Sequence, residues 1–352
     1  AFINEREITV DLAPTAEFTV TPTTGDAFIE PFSFIVNEQP EGARPIRTYA
    51  WDFGDSVGTS AESAPTYRYP QAGEFSPTLT VYYRHSQAVS GTPNLSKTAT
   101  QSVTVTEYIY DYISEEDGCF SYTTPQVQDI ILSEGSYEEK VATAYVVEQF
   151  TSQCWNPDDA VYSGYEAWTH AMAIMVPEYK TSNDVLLLID GGSRNSSIDN
   201  DDLELLKYLC IVAGTTVVHL KNVPSQPIVF NDEVIPPEDQ DNTSGVDFPL
   251  RYREEDDIIA YTYDKYLASY DETGGNPNPQ WPLLYPMAKA AVKAMDVAEE
   301  ILGAHSVPMD QFVIAGASKR GWTTWLAGAV DDRVKALLPI VINVLNMDDH
   351  LQ

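Results

Sequence analysis

Six residues late in the chain have the types and spacing of a nucleophile turn: Gly316-Ala317-Ser318-Lys319-Arg320-Gly321. An apolar run, "FVIAGA", leads into Ser318, and a helical pattern follows it. A serine on a sharp strand-to-helix turn holds its hydroxyl above the edge of a sheet, and glycines let strand and helix approach. The backbone N–H of Lys319 then points at the oxygen on which charge develops in acyl transfer. The helix start adds positive potential there. A plain turn serine has the same local pattern. The place between strand and helix favours the nucleophile.

A second stretch, "LLLIDGGSRN" (186–195), runs from an apolar strand into Asp190-Gly191-Gly192-Ser193. Glycines in an early loop of this kind let the backbone approach a substrate, so Gly192 and Ser193 are candidates for the second oxyanion donor. By itself the stretch is an ordinary glycine-rich loop; beside Ser318 it gains meaning. Lys319 and Arg320 have two readings. They hold an anionic substrate group, or they face solvent or pair with an acid such as Asp331. The second is favoured, and Arg320 stays a weak substrate-binding candidate.

The partners of the serine are harder to find. A catalytic histidine must bond the serine on one side and be oriented by an acid on the other. His170 and His219 lie inside strand patterns and read as core residues. His305 falls in the loop before the Ser318 strand, at the wrong edge of the sheet, and His85 lies far upstream. His350 adjoins Asp348 and Asp349, and neighbours in one short tail cannot easily serve both sides. In hydrolases of this type the chain order is Ser, acid, His, so the sequence reads as an α/β-hydrolase domain open at its carboxyl end. The acid and histidine are then expected downstream, and the strand "ALLPIVINV" becomes an exposed edge open to self-association.

The elements that position Ser318 are legible. From residue 108 onward apolar strands alternate with helical patterns: "AWTHAMAIMVP", "DVLLLIDGG", a helix over 199–213, "TTVVHLKNV", helices over 254–270 and 284–303, "FVIAGAS", a helix over 320–329, and "ALLPIVINV". Strands such as "VLLLI" are apolar on both faces, as a mostly parallel sheet covered by helices requires. Residues 14–107 differ. Short alternating strands rich in Val, Thr, Phe and Tyr, separated by Pro, Gly and Ser, predict an antiparallel β-sandwich. Residues 1–13 read as a linker or as the last strand of a preceding module.

Within that sandwich, "YAWDFGDSVGTSAESAPTYRYPQAGEFSPTLTVYY" carries Trp51-Asp52-Phe53-Gly54-Asp55, then Pro65, Tyr69, Gly73, Phe75, Leu79 and Val81. This pattern resembles a PKD domain. Such domains commonly accompany extracellular adhesion and polymer binding, which the resemblance carries over as an expectation. Trp51 and Phe53 alternate inward while Asp52, Gly54 and Asp55 make a turn. A spacer role is favoured; Asp52 and Asp55 are the weak calcium candidates.

The stretches "SQCW", "AWTHAMAIMVP", "LLLIDGGSRN", "LKNVPSQPIVF", "REEDDIIAYTYDKYLA", "WPLLYPMAKAAVKAMD" and "GASKRGWTTWLAGAVDDRVKALLPIVINVLNM" occur in that order over 108–352. Together they resemble the PhoPQ-activated pathogenicity-related family, a branch of the α/β-hydrolases. The resemblance implies Ser318 as nucleophile, with the Gly191–Ser193 loop near its oxyanion site. The turn is also similar to that of glucuronoyl esterases, which points to an ester substrate. A catalytically silent surface-binding or structural protein of an extracellular assembly is the rival.

Composition narrows the rest. The 352 residues carry a net charge of −33. Such a surface repels nucleic acid and anionic membranes, whose phosphates need Lys and Arg. There is no P-loop and no Gly-x-Gly-x-x-Gly after a strand, so no nucleotide or redox cofactor is expected. No apolar run is long enough to span a membrane. Of three cysteines, Cys119 and Cys154 flank loop-like sequence and are expected to pair on that ground, whereas Cys210 sits in an apolar run and reads as a buried thiol. The expected setting is secreted or cell-surface, and the expected partner is an ester or polymeric extracellular substrate.

Overall fold

The computed structural model describes residues 12–27, 31–84, 94–106, 108–233, 250–272 and 278–342. The chain divides into two compact units, residues 1–111 and 112–352. Of residues 1–13, read above as a linker or the last strand of a preceding module, 1–11 lie outside the described residues.

The first unit is a β-sandwich built from β1 (Phe18–Thr21), β2 (Thr24–Asp26), β3 (Phe32–Val36), β4 (Thr48–Asp52), β5 (Thr59–Ser60), β6 (Thr66–Tyr67), β7 (Gly73–Phe75), β8 (Thr78–Tyr83), β9 (Leu95–Thr100) and β10 (Val103–Thr106). They form three small sheets, ordered β1-β3-β6, β2-β10-β7 and β5-β4-β8-β9. All pairings are antiparallel except β2 with β10. The period-two pattern buries one face of each strand, so Phe18, Phe32, Phe34, Trp51, Phe53, Tyr69, Leu79 and Val81 share one core.

The Asp-Phe-Gly-Asp turn is held by its own carboxylates. Asp52 Oδ1 accepts the Gly54 N–H at 2.9 Å. Asp55 is nearly buried and accepts from the Val57 and Gly58 amides at 3.0 and 2.7 Å and from the Tyr67 hydroxyl at 2.5 Å. Burial works against the Asp55 charge, but the bonds from Tyr67, Gly58 and Val57 outweigh it and hold the carboxyl below its usual range. Burial and the facing Asp55 push the Tyr67 phenol up to about 12. The two calcium candidates thus spend oxygens on amides and a phenol. No cluster of three or more metal-ligating side chains occurs among the described residues. Asp55→Ala leaves two amides and a phenol short of an acceptor. It is expected to cost about 2 kcal/mol, read as an earlier unfolding transition of this domain in a thermal melt.

The second unit holds an eight-stranded sheet. After α1 (Tyr108–Ser114) come β11 (Ser121–Tyr122), β12 (Gln126–Glu134), β13 (Tyr137–Cys154), β14 (Ala167–Pro177), β15 (Val185–Ile189), α2 (Asn200–Ala213), β16 (Thr216–Leu220), α3 (Asp256–Glu272), α4 (Leu284–Ala304), β17 (Phe312–Ala317), α5 (Lys319–Val330) and β18 (Val334–Ile340). The sheet order is β11-β13-β14-β16-β15-β17-β18, with β12 also paired to β13. The expectation of a mostly parallel sheet needs correction. Only β16, β15, β17 and β18 are parallel to one another. β11, β12, β13, β14 and β16 pair antiparallel. The reason is the connections. A tight turn joins β12 to β13, and no α-helix lies between β13 and β14, whereas a parallel pair needs a helical crossover.

Helix α2 begins with a reciprocal capping box between Asp199 and Asp202 and ends at Gly214 in the left-handed conformation. It packs Leu206 and Cys210 against Ala142, Ala144, Ala173, Met175 and Val217. Cys210 is a buried free thiol. Cys119 and Cys154 form a disulfide with Cα atoms 5.6 Å apart. No helix among the described residues is long and apolar enough to cross a membrane.

Candidate active site

β15 and β17 lie side by side, with Ile189 opposite Gly316. Their chains leave in opposite directions, β15 through α2 to β16 and β17 through α5 to β18. In an open α/β sheet this is a topological switch point, the place where ligands bind outside the carboxyl ends of the strands. The next residues along the two strands are Asp190–Gly192 and Ser318. The register therefore brings together the two stretches the sequence singled out.

Ser318 stands at the turn between β17 and α5 with φ 57° and ψ −125°, exposed. A left-handed serine costs on the order of 1–3 kcal/mol and persists only when its surroundings over-determine it. Its N–H donates to Ile340 O at 2.9 Å, and its carbonyl accepts from the Gly321 N–H at 2.8 Å. A Cβ on Gly316 would strike the Arg320 carbonyl, and one on Gly321 would strike Ile342. Gly316 is thus required by the close approach of β17 and α5, and Gly321 by the Ile342 side chain packed against the first turn of α5. The Ser318 side chain makes no capping hydrogen bond. The Lys319 amide opens α5, where an N–H has no acceptor four residues back.

Facing this turn, Gly192 has φ 126°, and a Cβ there would sit 2.5 Å from Asn222 Oδ1. Gln226 Nε2 donates to Gly192 O at 2.8 Å. The Ser193 amide already donates to Ser196 Oγ at 3.0 Å. Beyond Ser193 the same loop walls a polar cavity of about 610 Å³, lined by Thr151, Thr169, His170, Arg194, Asn195 and Ser196 among others.

Lys319 and Arg320 are both buried. Their partner is Glu255, not Asp331, which pairs with Arg333. Arg320 Nη1 and Nη2 reach the two Glu255 oxygens at 2.9 and 2.6 Å, and its Nε donates to Val223 O at 2.5 Å. Lys319 Nζ pairs with Glu255 and, at 3.0 Å, with Asp256. Every guanidinium nitrogen of Arg320 is therefore engaged within the fold, in a clamp between α5, the start of α3 and the loop after β16. Burial pushes the Glu255 carboxyl up, but bonds from Arg320, Lys319 and Gln226 outweigh it and hold it at about 2. Glu255 and Asn222 are themselves left-handed, at φ 52° and 66°. Strained backbone gathers around the serine.

Sequence reasoning passed over Glu255, Gln226 and Asn222. Their only signals were the acidic run "REEDD" and polar residues between prolines in "KNVPSQP".

The histidines are committed elsewhere. His170 Nε2 lies 2.9 Å from Ser152 Oγ, and Nδ1 lies 3.2 and 3.1 Å from the carbonyls of Lys221 and Asn222. Burial drives its pKa down to about 4. His219 Nε2 is 3.1 Å from Asp190 Oδ2. The hydrogen bond from His219 holds the Asp190 carboxyl low. His305 caps the end of α4, before β17, with its ring 4.6 Å from that of Tyr145. His85, Asp348, Asp349 and His350 lie outside the described residues.

A strained, exposed serine over a switch point, faced by a glycine loop and preceded by a β-sandwich, defines a two-domain chain with a nucleophile-type turn in its α/β part. The chain belongs to the PhoPQ-activated pathogenicity-related protein family, whose model matches residues 111–352. The PKD domain model matches residues 11–105. The autocrine proliferation repressor protein A of Dictyostelium discoideum is 35% identical over 238 residues, which are 67% of this chain and 41% of that protein. The chain thus spans about 41% of the length of this curated relative. Among solved structures, the PKD1 domain of the Vibrio cholerae metalloprotease PrtV is similar at 29% identity and TM-score 0.21, over 27% of this chain and 98% of that one. The rice cell wall degrading esterase LipA of Xanthomonas oryzae is similar at 12% identity and TM-score 0.34, over 64% of this chain and 50% of that one.

Proposed function

We propose that the second domain is a serine hydrolase that transfers an acyl group from an ester to water. The left-handed, exposed Ser318 at the switch point carries this reading. In the reaction Ser318 Oγ bonds to the acyl carbon while its proton passes to a general base. The C–O bond to the alcohol then breaks, and the base returns the proton to the leaving oxygen. Water, giving a proton to the same base, then bonds to the acyl carbon; the bond from that carbon to Ser318 Oγ breaks, the acid leaves, and the base returns the proton to Oγ. The oxyanion takes hydrogen bonds from the Lys319 and Gly192 amides; the Ser193 amide, engaged by Ser196, plays the supporting part. Because Glu255 and Asp256 together balance the charges of Lys319 and Arg320, a neutral ester suits the site. The cavity behind the loop offers polar room for a hydroxylated leaving group. The Cys119–Cys154 bridge and the PKD domain support a secreted or cell-surface setting, where disulfides persist.

A second reading has its own support. Among the described residues no histidine bonds the Ser318 hydroxyl, and a serine without a base is a weak nucleophile. On that reading the fold is silent, and the chain binds a polymer or an assembly at the cell surface. Intact-mass labelling with a fluorophosphonate separates the two. The expected result is one adduct on the wild type and none on Ser318→Ala. No adduct on either protein sinks the hydrolase and leaves the binding role.

A further inference from the structure

We infer that His170 is a positioning residue for the oxyanion loop, acting through its Nδ1–H on the backbone of Lys221 and Asn222; the inference rests on the hydrolase reading for its consequence but not for its geometry. His170 is 2% exposed, on β14. Its Nδ1 faces two carbonyls, at 3.2 and 3.1 Å. Carbonyls only accept, so Nδ1 carries the proton. Nε2 is then the acceptor, and the Ser152 hydroxyl donates to it at 2.9 Å. Burial keeps the ring neutral, and the two carbonyls at Nδ1 set which nitrogen carries its one proton.

The two carbonyls belong to the segment that holds the loop beside Ser318. Asn222, left-handed at φ 66°, donates its N–H to Gly191 O at 2.9 Å. Val223 donates to Asp190 O at 3.0 Å. The Asn222 side chain reaches Ser196 O at 3.3 Å and fills the space where Gly192 would carry a Cβ. So the path runs from Ser152 to His170, to the carbonyls of 221 and 222, to the backbone of 190–192. A clamp on a strained residue behind an oxyanion donor sets where that donor points. An error of an ångström in such a donor forfeits most of its effect on rate.

Three variants separate clamp from filler. Asn at position 170 presents its amide near Nδ1 and keeps a donor for the carbonyls. Gln places its amide near Nε2, keeping Ser152 but releasing the carbonyls. Ser152→Ala removes the far partner and leaves the clamp. Two readouts are taken on the whole chain: hydrogen exchange of the Asn222 and Val223 amides, and the limiting rate and half-saturating concentration of fluorophosphonate labelling at Ser318.

His170→Gln is expected to speed exchange of both amides and to cut the limiting labelling rate at least tenfold, with half-saturation unchanged. His170→Asn and Ser152→Ala should stay within about threefold of wild type in both. Equal behaviour of His170→Gln and His170→Asn overturns the inference, as does wild-type exchange in His170→Gln. Faster exchange in His170→Gln, with Ser318 unlabelled even in the wild type, upholds the clamp and overturns the hydrolase reading instead.

Discussion

Glu255→Gln is expected to destabilise the second domain by about 3 kcal/mol at neutral pH, the low end for breaking a buried pair. The low end applies because the Glu255 side chain is 40% exposed while Lys319 and Arg320 are 7% and 11% exposed. Glutamine retains an acceptor but no charge, so two buried cations are left with Asp256, which is 87% exposed and meets only Lys319. The melting temperature should fall by on the order of 10 °C. The effect carries a pH signature. In the folded chain the Glu255 carboxyl is held at about 2, below its ordinary 4.5. A depressed carboxylate contributes stability that is full above the unfolded value and is lost as pH falls toward the folded value. The gap between wild type and Glu255→Gln should thus be widest above about pH 5 and shrink between roughly pH 4.5 and 2. Urea unfolding of both proteins at pH 7 and pH 3 measures it. An equal gap at both pH values would show that the charge of Glu255 is not what stabilises the clamp. The same substitution frees Lys319 and Arg320 beside Ser318, so any esterase activity should shift toward anionic substrates.

Removing the Cys119–Cys154 bridge is expected to cost about 3–4 kcal/mol on the chain-entropy account, since it closes a loop of 35 residues. The bridge ties the segment before β11 to the end of β13. Next to it Gln153 accepts from Tyr112 Oη at 2.7 Å and donates to Pro286 O at 2.7 Å. Lys289, buried in α4, donates to Glu115 O at 2.7 Å and pairs with Asp117 at 3.3 Å. These contacts order the same segment from the other side, so part of it should stay folded after reduction. Urea unfolding of the wild type with and without dithiothreitol, beside Cys119→Ala/Cys154→Ala, reads the cost. Reductant should lower the wild type to the level of the double variant and leave that variant unmoved. A stability unchanged by reductant would mean that the bridge spans chain already ordered when unfolded.

How far the sequence reached is clearest around Ser318. The turn was legible because its determinants are local: an apolar strand, two glycines needed for close approach, and a helix start, all within about ten residues. The sandwich was legible for the same reason, since a period of two and the Asp-Phe-Gly-Asp turn are short-range features. The two helices flanking the serine turn, α4 and α5, followed from apolar spacing. Tertiary structure decided the rest. The antiparallel part of the sheet was hidden because β12 and β13 read individually like any other strand; direction is a property of connections. Glu255 was hidden because it is one acid among many, 63 positions before Ser318 by their numbers. Which acid neutralises Lys319 and Arg320 depends on which loop meets the switch point, and that is set by strand order. His170 reads as a core residue and is one, but the carbonyls it clamps lie 51 and 52 positions further along the chain. By itself the sequence determined the nucleophile-type turn and the two folds, because those rest on neighbours along the chain. The strand order, the ion-pair clamp and the backing of the glycine loop rest on neighbours in space, where only the packed sheet brings distant residues within hydrogen-bonding distance.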